Sequence, residues 1–199
     1  MTEKLFYEDS HMITFLATVI ACEKAGDYYE AVLTRTAFFP EGGGQYADTG
    51  RIDGIEVIDV QEREGHIYHK MPSPLEVGKV VEGWINWEER FSKMQQHSGE
   101  HIVSGLVHQT YGYDNVGFHM GKDAVTMDFN GVLTKEQLKE SEKKASEAVV
   151  KNIDICMINN KPFIYLNVPA GINSNKHTNI TPITYLIIAS KNNFTLMNI

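Results

Sequence analysis

The hydrophobic pattern changes from strand to helix period near residue 86, and that change points to an α+β chain built in two parts. Before it the pattern is that of strands. Met12 to Cys22 is apolar and β-branched, and Tyr28 to Phe39 reads the same way. Ile55 to Val60 and His66 to Met71 flank Arg63-Glu64-Gly65, which suits a hairpin turn, and Val77 to Ile85 adds another strand. Several short strands with glycine-containing turns predict a small N-terminal β-barrel over residues 1–86. From Trp87 the spacing becomes helical, with apolar residues at Phe91, Met94, Ile102, Leu106 and Val107, and predicts a helix to Tyr111. Val125 to Phe129 alternates as a strand. Thr134-Lys-Glu-Gln137 is a capping box that opens a second helix running to about Asn152. Apolar runs at Phe163–Val168, Ile183–Ala189 and Phe194–Ile199 predict strands, so residues 87–199 form a second, α+β domain. No internal repeat is visible.

Hydrophobic residues make up 42% of the 199 residues, enough to build a core. No apolar run is long enough to span a membrane, and acids stand where a signal peptide would be basic. Cys22 and Cys156 form no CxxC pair, so a reduced, cytoplasmic setting is the expectation. The net charge of −8 argues against a general nucleic-acid coat protein, while leaving room for a local basic groove. All 26 acidic residues lie at or before Asp154, and the stretch after residue 155 is acid-free and rich in Asn, an atypical tail.

Two strings carry chemistry. The first is Phe38-Phe39-Pro40-Glu41-Gly42-Gly43-Gly44-Gln45, followed by Asp48-Thr49-Gly50. Consecutive glycines at Gly42, Gly43 and Gly44 permit positive φ and let the backbone approach a ligand closely. A bare triple glycine equally suits a surface loop, and no Gly-Lys-Ser/Thr follows to make a P-loop. The second is Gln95-Gln96-His97-Ser98-Gly99-Glu100-His101 in the long helix. His97 and His101 are four apart, so both imidazoles project from one face about a turn apart. A tetrahedral zinc ion accepts that spacing, and two neutral imidazoles leave the ion a Lewis acid that lowers the pKa of a bound water to about 7. A pair of solvated helix histidines has the same spacing.

Together these strings resemble the AlaX-type alanyl-tRNA editing proteins and the matching editing region of alanyl-tRNA synthetase. The resemblance runs from about Tyr7 to Ile155. It rests on Thr36-Ala-Phe-Phe-Pro-Glu-Gly-Gly-Gly-Gln-Tyr-Ala-Asp-Thr-Gly50, Asn86-Trp-Glu-Glu-Arg-Phe-Ser-Lys-Met-Gln-Gln-His-Ser-Gly-Glu-His101, Val116-Gly-Phe-His-Met-Gly121 and Val125-Thr-Met-Asp-Phe-Asn130. It implies a β-domain bearing the glycine motif and an editing domain shared with threonyl-tRNA synthetases. It also implies a trans-editing hydrolase that removes Ser, and often Gly, from mischarged tRNA(Ala). His97 and His101 become zinc ligands by the same resemblance, Gln45 and its glycines face the editing site, and His119 lies near the substrate pocket.

The chain departs from that family in one place. Two further zinc ligands are expected as Cys-x-x-x-His near the end of the editing domain, and no such string exists here. The candidate third ligand is His177, in Asn173-Ser-Asn-Lys-His177-Thr, which puts Asn173 where the family has Cys. Two other readings stay open. One is a non-catalytic tRNA-binding or interaction module with a degenerate zinc site. The other is a metallopeptidase, because His97-Ser-Gly-Glu100-His101 also satisfies H-x-x-E-H, with Glu100 as base and a distal Glu147 as ligand.

Overall fold

The chain's computed structural model describes residues 1–121 and 124–151 in full, and the backbone of strands at 155–158, 161–164, 185–190 and 193–198. Two units emerge, Met1–Lys93 and Met94–Ile199. The first is built on β1 (Glu3–Lys4), a 3-10 turn at Leu5–Tyr7, β2 (Thr14–Ala25), β3 (Tyr28–Leu33), β4 (Arg35–Thr36), β5 (Gly50–Ile52), β6 (Ile55–Val57), β7 (Asp59–Arg63), β8 (His66–Met71) and β9 (Val80–Ile85). Seven of these strands form one sheet in the order β6-β5-β9-β2-β3-β8-β7. Its two outermost strands, β6 and β7, are consecutive in the chain and separated only by Ile58. The ends of the sheet therefore have to meet, and the expected barrel is a nearly closed sheet.

Alternation sets which side chains fill it. On β8, Ile67, His69 and Met71 are buried while the residues between them are not. On β9, Val81 and Ile85 point to the same core. The predicted hairpin turn is present: Glu64 and Gly65 both have positive φ, 51° and 76°, the pair that a tight turn between twisted strands requires. Gly50 is needed for another reason. A Cβ there would meet the Trp84 carbonyl oxygen and the Phe38 ring.

In the second unit, the helix α1 (Trp87–Tyr111) contributes its later turns. It is followed by β10 (Asn115–Met120), β11 (Val125–Phe129), α2 (Lys135–Val150), β12 (Ile155–Ile158), β13 (Lys161–Ile164), β14 (Tyr185–Ser190) and β15 (Asn193–Asn198). A four-stranded sheet has the order β10-β11-β15-β14, and β12 pairs with β13. Ile102, Val103, Leu106 and Val107 of α1 pack in one core with Met120, Val125 and Met127 of the sheet and Leu138, Ala145 and Ala148 of α2. The capping box forms as expected: Thr134 accepts from the Gln137 N–H, and the Gln137 side chain accepts from Thr134 N–H. No helix among the described residues is long and apolar enough to cross a membrane.

One buried polar chain runs through the first unit's core. His69 is fully buried and its Nδ1 lies 3.0 Å from the Ala31 carbonyl, so Nδ1 carries the proton. Nε2 then accepts from the Thr36 hydroxyl at 2.9 Å, and that hydroxyl oxygen accepts the Phe38 N–H at 3.1 Å. Burial pushes the His69 pKa down to about 4, against the small opposing effect of Ala31. The unfolded chain thus takes up a proton near 6.5 that the folded chain refuses until about 4. We predict that stability falls as pH drops through this window, by on the order of 3 kcal/mol in total. Urea unfolding of the wild type and of His69→Phe at a series of pH values checks it. The variant should lack this part of the pH slope.

Candidate functional site

The glycine string forms a tight hairpin. Gly42 and Gln45 exchange both backbone hydrogen bonds at 3.0 Å, leaving Gly43 and Gly44 as a two-residue turn with φ of 60° and 82°. Positive φ at both central positions is the type I′ geometry, which only small or Asn/Asp residues enter cheaply. Gly42 to Gly44 are exposed, and a Cβ at Gly42 or Gly43 would meet open space. The backbone, not crowding, demands glycine at Gly43. Gln45 is buried at the end of the turn, and its neighbour Tyr46 is exposed.

Charged groups hold the stems of this hairpin. Asp48 and Phe39 bond twice, Asp48 N–H to the Phe39 carbonyl at 2.9 Å and Phe39 N–H to Asp48 Oδ2 at 2.7 Å. Arg90, on the first turn of α1, reaches Asp48 Oδ2 at 3.1 Å and donates to the Ala37 carbonyl at 2.7 Å. Lys93, one turn on, donates to the Ala47 carbonyl at 2.6 Å and pairs with Glu89 at 2.7 Å. Thr49 in turn donates to Glu89 at 2.5 Å. Asp48 and Arg90 are almost entirely buried. Burial pushes the Asp48 carboxyl above its ordinary range, opposed by Arg90, the Phe39 N–H and Lys93. Asp48, Thr49, Glu89 and Arg90 all lie within two of the sequence strings that carry the family resemblance. They connect the two strings: Asp48 and Thr49 of the first are held by Arg90 and Glu89 of the second.

In the second unit, His97, Glu100 and His101 bring their ligand atoms within 4.8 Å of one another. The two imidazole centroids are 4.7 Å apart, and the Phe118 ring lies 5.5 Å from that of His97. Burial, then the neighbouring His101, lowers the His97 pKa, while Glu100 opposes. His97 is accordingly neutral near pH 7, the form that binds a cation. Burial would raise Glu100, but bonds from His101, Ser104 and Asn115 outweigh it and the carboxyl is held low. Two imidazoles one helical turn apart are a donor pair zinc accepts. His119 is exposed on β10. Glu147, proposed for a peptidase, is exposed on α2 beside Lys143 and is not in the cluster. His177 and Asn173 lie outside the described residues.

Comparison with known proteins bears on what this arrangement belongs to. Residues 2–89 match the model for class II (A) tRNA synthetases. The alanyl-tRNA editing protein AlaX-L of Pyrococcus horikoshii is 32% identical over 162 residues, covering 78% of this chain and 40% of that protein. AlaX-M of Methanosarcina barkeri is 34% identical over 163 residues, covering 76% of this chain and 66% of that protein. The chain belongs to the alanyl-tRNA editing family. It is also 34% identical over 160 residues to an alanine–tRNA ligase of Methanococcus maripaludis, of which it spans 18%. The chain thus spans well under half of two of these relatives and about two thirds of the third.

For this member of the editing family, Gly43→Asn should keep the turn, because Asn enters the left-handed region. Gly43→Val should cost about 1–3 kcal/mol through backbone strain alone. Arg90→Met, which strands Asp48 inside, should cost about 3–5 kcal/mol. Chemical denaturation of the three variants measures all of this, and equal midpoints for Asn and Val at Gly43 would exclude the turn argument.

Proposed function

We propose that this chain is a trans-editing hydrolase that deacylates mischarged tRNA(Ala), with Ser-tRNA as substrate and Gly-tRNA as a second one. The observation that carries the reading is the His97–Glu100–His101 cluster on one helix of a chain that belongs to the editing family. We assign the second unit to the editing domain shared by alanyl- and threonyl-tRNA synthetases. His97 and His101 would hold zinc. When bound, such an ion supplies Lewis acidity toward an ester carbonyl. His177 is kept as the candidate third ligand.

The remaining roles follow from what each side chain offers. His119, exposed on β10, is assigned to the substrate's neighbourhood. Gln45 and the turn at Gly42–Gly44 are assigned to substrate contact, since the turn leaves backbone groups exposed and space open beside Gly42 and Gly43. Preference for Ser over Ala needs a polar group matched to the serine hydroxyl, which stays unpaired when Ala is bound. A second reading, tRNA binding without turnover, is favoured by one sequence fact: the chain lacks a Cys-x-x-x-His string.

We predict that the purified protein retains zinc and deacylates Ser-tRNA(Ala). His97→Ala and His101→Ala should each abolish metal retention and lower the deacylation rate by about 100-fold or more, the scale on which an essential Lewis acid acts. Elemental analysis and a deacylation assay on the same samples decide it. Unchanged zinc in both variants sinks the metal assignment. Wild-type protein that binds the tRNA without turnover supports the second reading.

A further inference from the structure

Glu100 sits between the two histidines, three residues after His97 and one before His101. It is 6% exposed. A carboxylate this deep is costly unless both oxygens are engaged. Here both are. Oε1 accepts from the Ser104 hydroxyl at 2.5 Å and from Asn115 Nδ2 at 2.7 Å. Oε2 stands 2.7 Å from Nδ1 of His101. Asn115 is itself fixed, since Nδ2 also donates to Ser104 Oγ at 3.0 Å and its Oδ1 accepts from Gly117 N–H at 3.0 Å. That aim depends on a bulge in β10. Asn115 faces Phe129 and Gly117 faces Asp128, so Val116 is an extra residue in the ladder. Bulges re-aim side chains in this way.

The contact with His101 sets which ring nitrogen carries the proton. The ring is turned off the line of an ideal hydrogen bond. Even so, an unprotonated Nδ1 at 2.7 Å would set lone pair against lone pair, so Nδ1 is the donor. A neutral imidazole protonated there has its lone pair on Nε2. We propose that Glu100 is a positioning residue and not a ligand: held by Ser104, Asn115 and the bulge in β10, it fixes His101 as the Nδ1–H tautomer and presents Nε2 as the metal-ligating atom. A metal ligand supported by a carboxylate on its far nitrogen is both oriented and made more basic. The proposal rests on the zinc reading above, but its first consequence needs no metal.

Nitrogen-15 NMR of the metal-free protein, above the ordinary histidine pKa range, reads the tautomer directly. His101 should be protonated at Nδ1 in the wild type, and Glu100→Gln should shift it toward Nε2–H. Zinc affinity, measured by competition with a chelator, should weaken by about 10- to 100-fold in Glu100→Gln. Ser104→Ala and Asn115→Ala should move both readouts the same way by less, and they stand in if Glu100→Gln does not fold. His101 protonated at Nε2 in the wild type overturns the proposal. So does an unchanged tautomer in the folded variants, or complete zinc loss in Glu100→Gln without a tautomer change, which would make Glu100 a ligand. Wild-type protein that binds no zinc overturns the zinc reading alone, and the tautomer measurement still decides whether Glu100 sets the ring.

Discussion

Arg90 carries a permanent charge to a place with almost no water, and the path of the glycine-bearing segment follows from how that charge is met. A buried guanidinium has to be satisfied by acceptors at fixed directions. Asp48 supplies one and the Ala37 carbonyl another. Lys93 makes the same demand of the Ala47 carbonyl. Both stems of the hairpin are thereby tied to the opening turns of α1. Pairs of this kind contribute little net stability, because desolvation consumes most of the attraction. What they give is position: this placement of the stems leaves both charges answered.

The same logic runs along the helix. Arg90, Lys93, His97, Glu100 and Ser104 succeed each other at intervals of three and four, one stripe of α1. On an ordinary surface helix a polar stripe faces solvent. Here Arg90, Lys93, Glu100 and Ser104 are buried and His97 is half-buried. Each therefore has a stated partner or sits in the donor cluster, and Glu100 meets this requirement with three side chains at once.

Much of this was legible in the sequence where periodicity is strong. His66–Met71, Trp87–Tyr111 and Val125–Phe129 are elements with the boundaries their patterns predict, and the Thr134 capping box is where the string places it. The i, i+4 histidines and the glycine turn were readable for the same local reasons. Gly50–Ile52 and Asn115–Met120 were not, because a short strand with glycine or polar residues exists only through its partners. The Asp48–Arg90 pair joins residues far apart in the chain, and local pattern is silent on such pairing. One signal was available: Arg90, Lys93, His97 and Glu100 recur at helical spacing within one string, in register with the histidine pair.

The sheet of the first unit is finished late. Its central strand, β2, is hydrogen-bonded on one side to β3, the next in the chain, and on the other to β9, where Thr14 faces Trp84 and Thr18 faces Val80. During synthesis β2 and β3 can pair early, but one edge of β2 stays open until the last strand of the unit has left the ribosome. Non-local pairings of this sort slow folding and leave strand edges exposed meanwhile. The alternation of Phe15, Ala17 and Val19 on the inner face means that the waiting edge also exposes core surface. A nascent chain paused before Ile85 would therefore be a client for chaperones, and the start of α1 soon after β9 brings in Arg90, which ties down Ala37 and Asp48 of the β4–β5 connection only after the last strand is made.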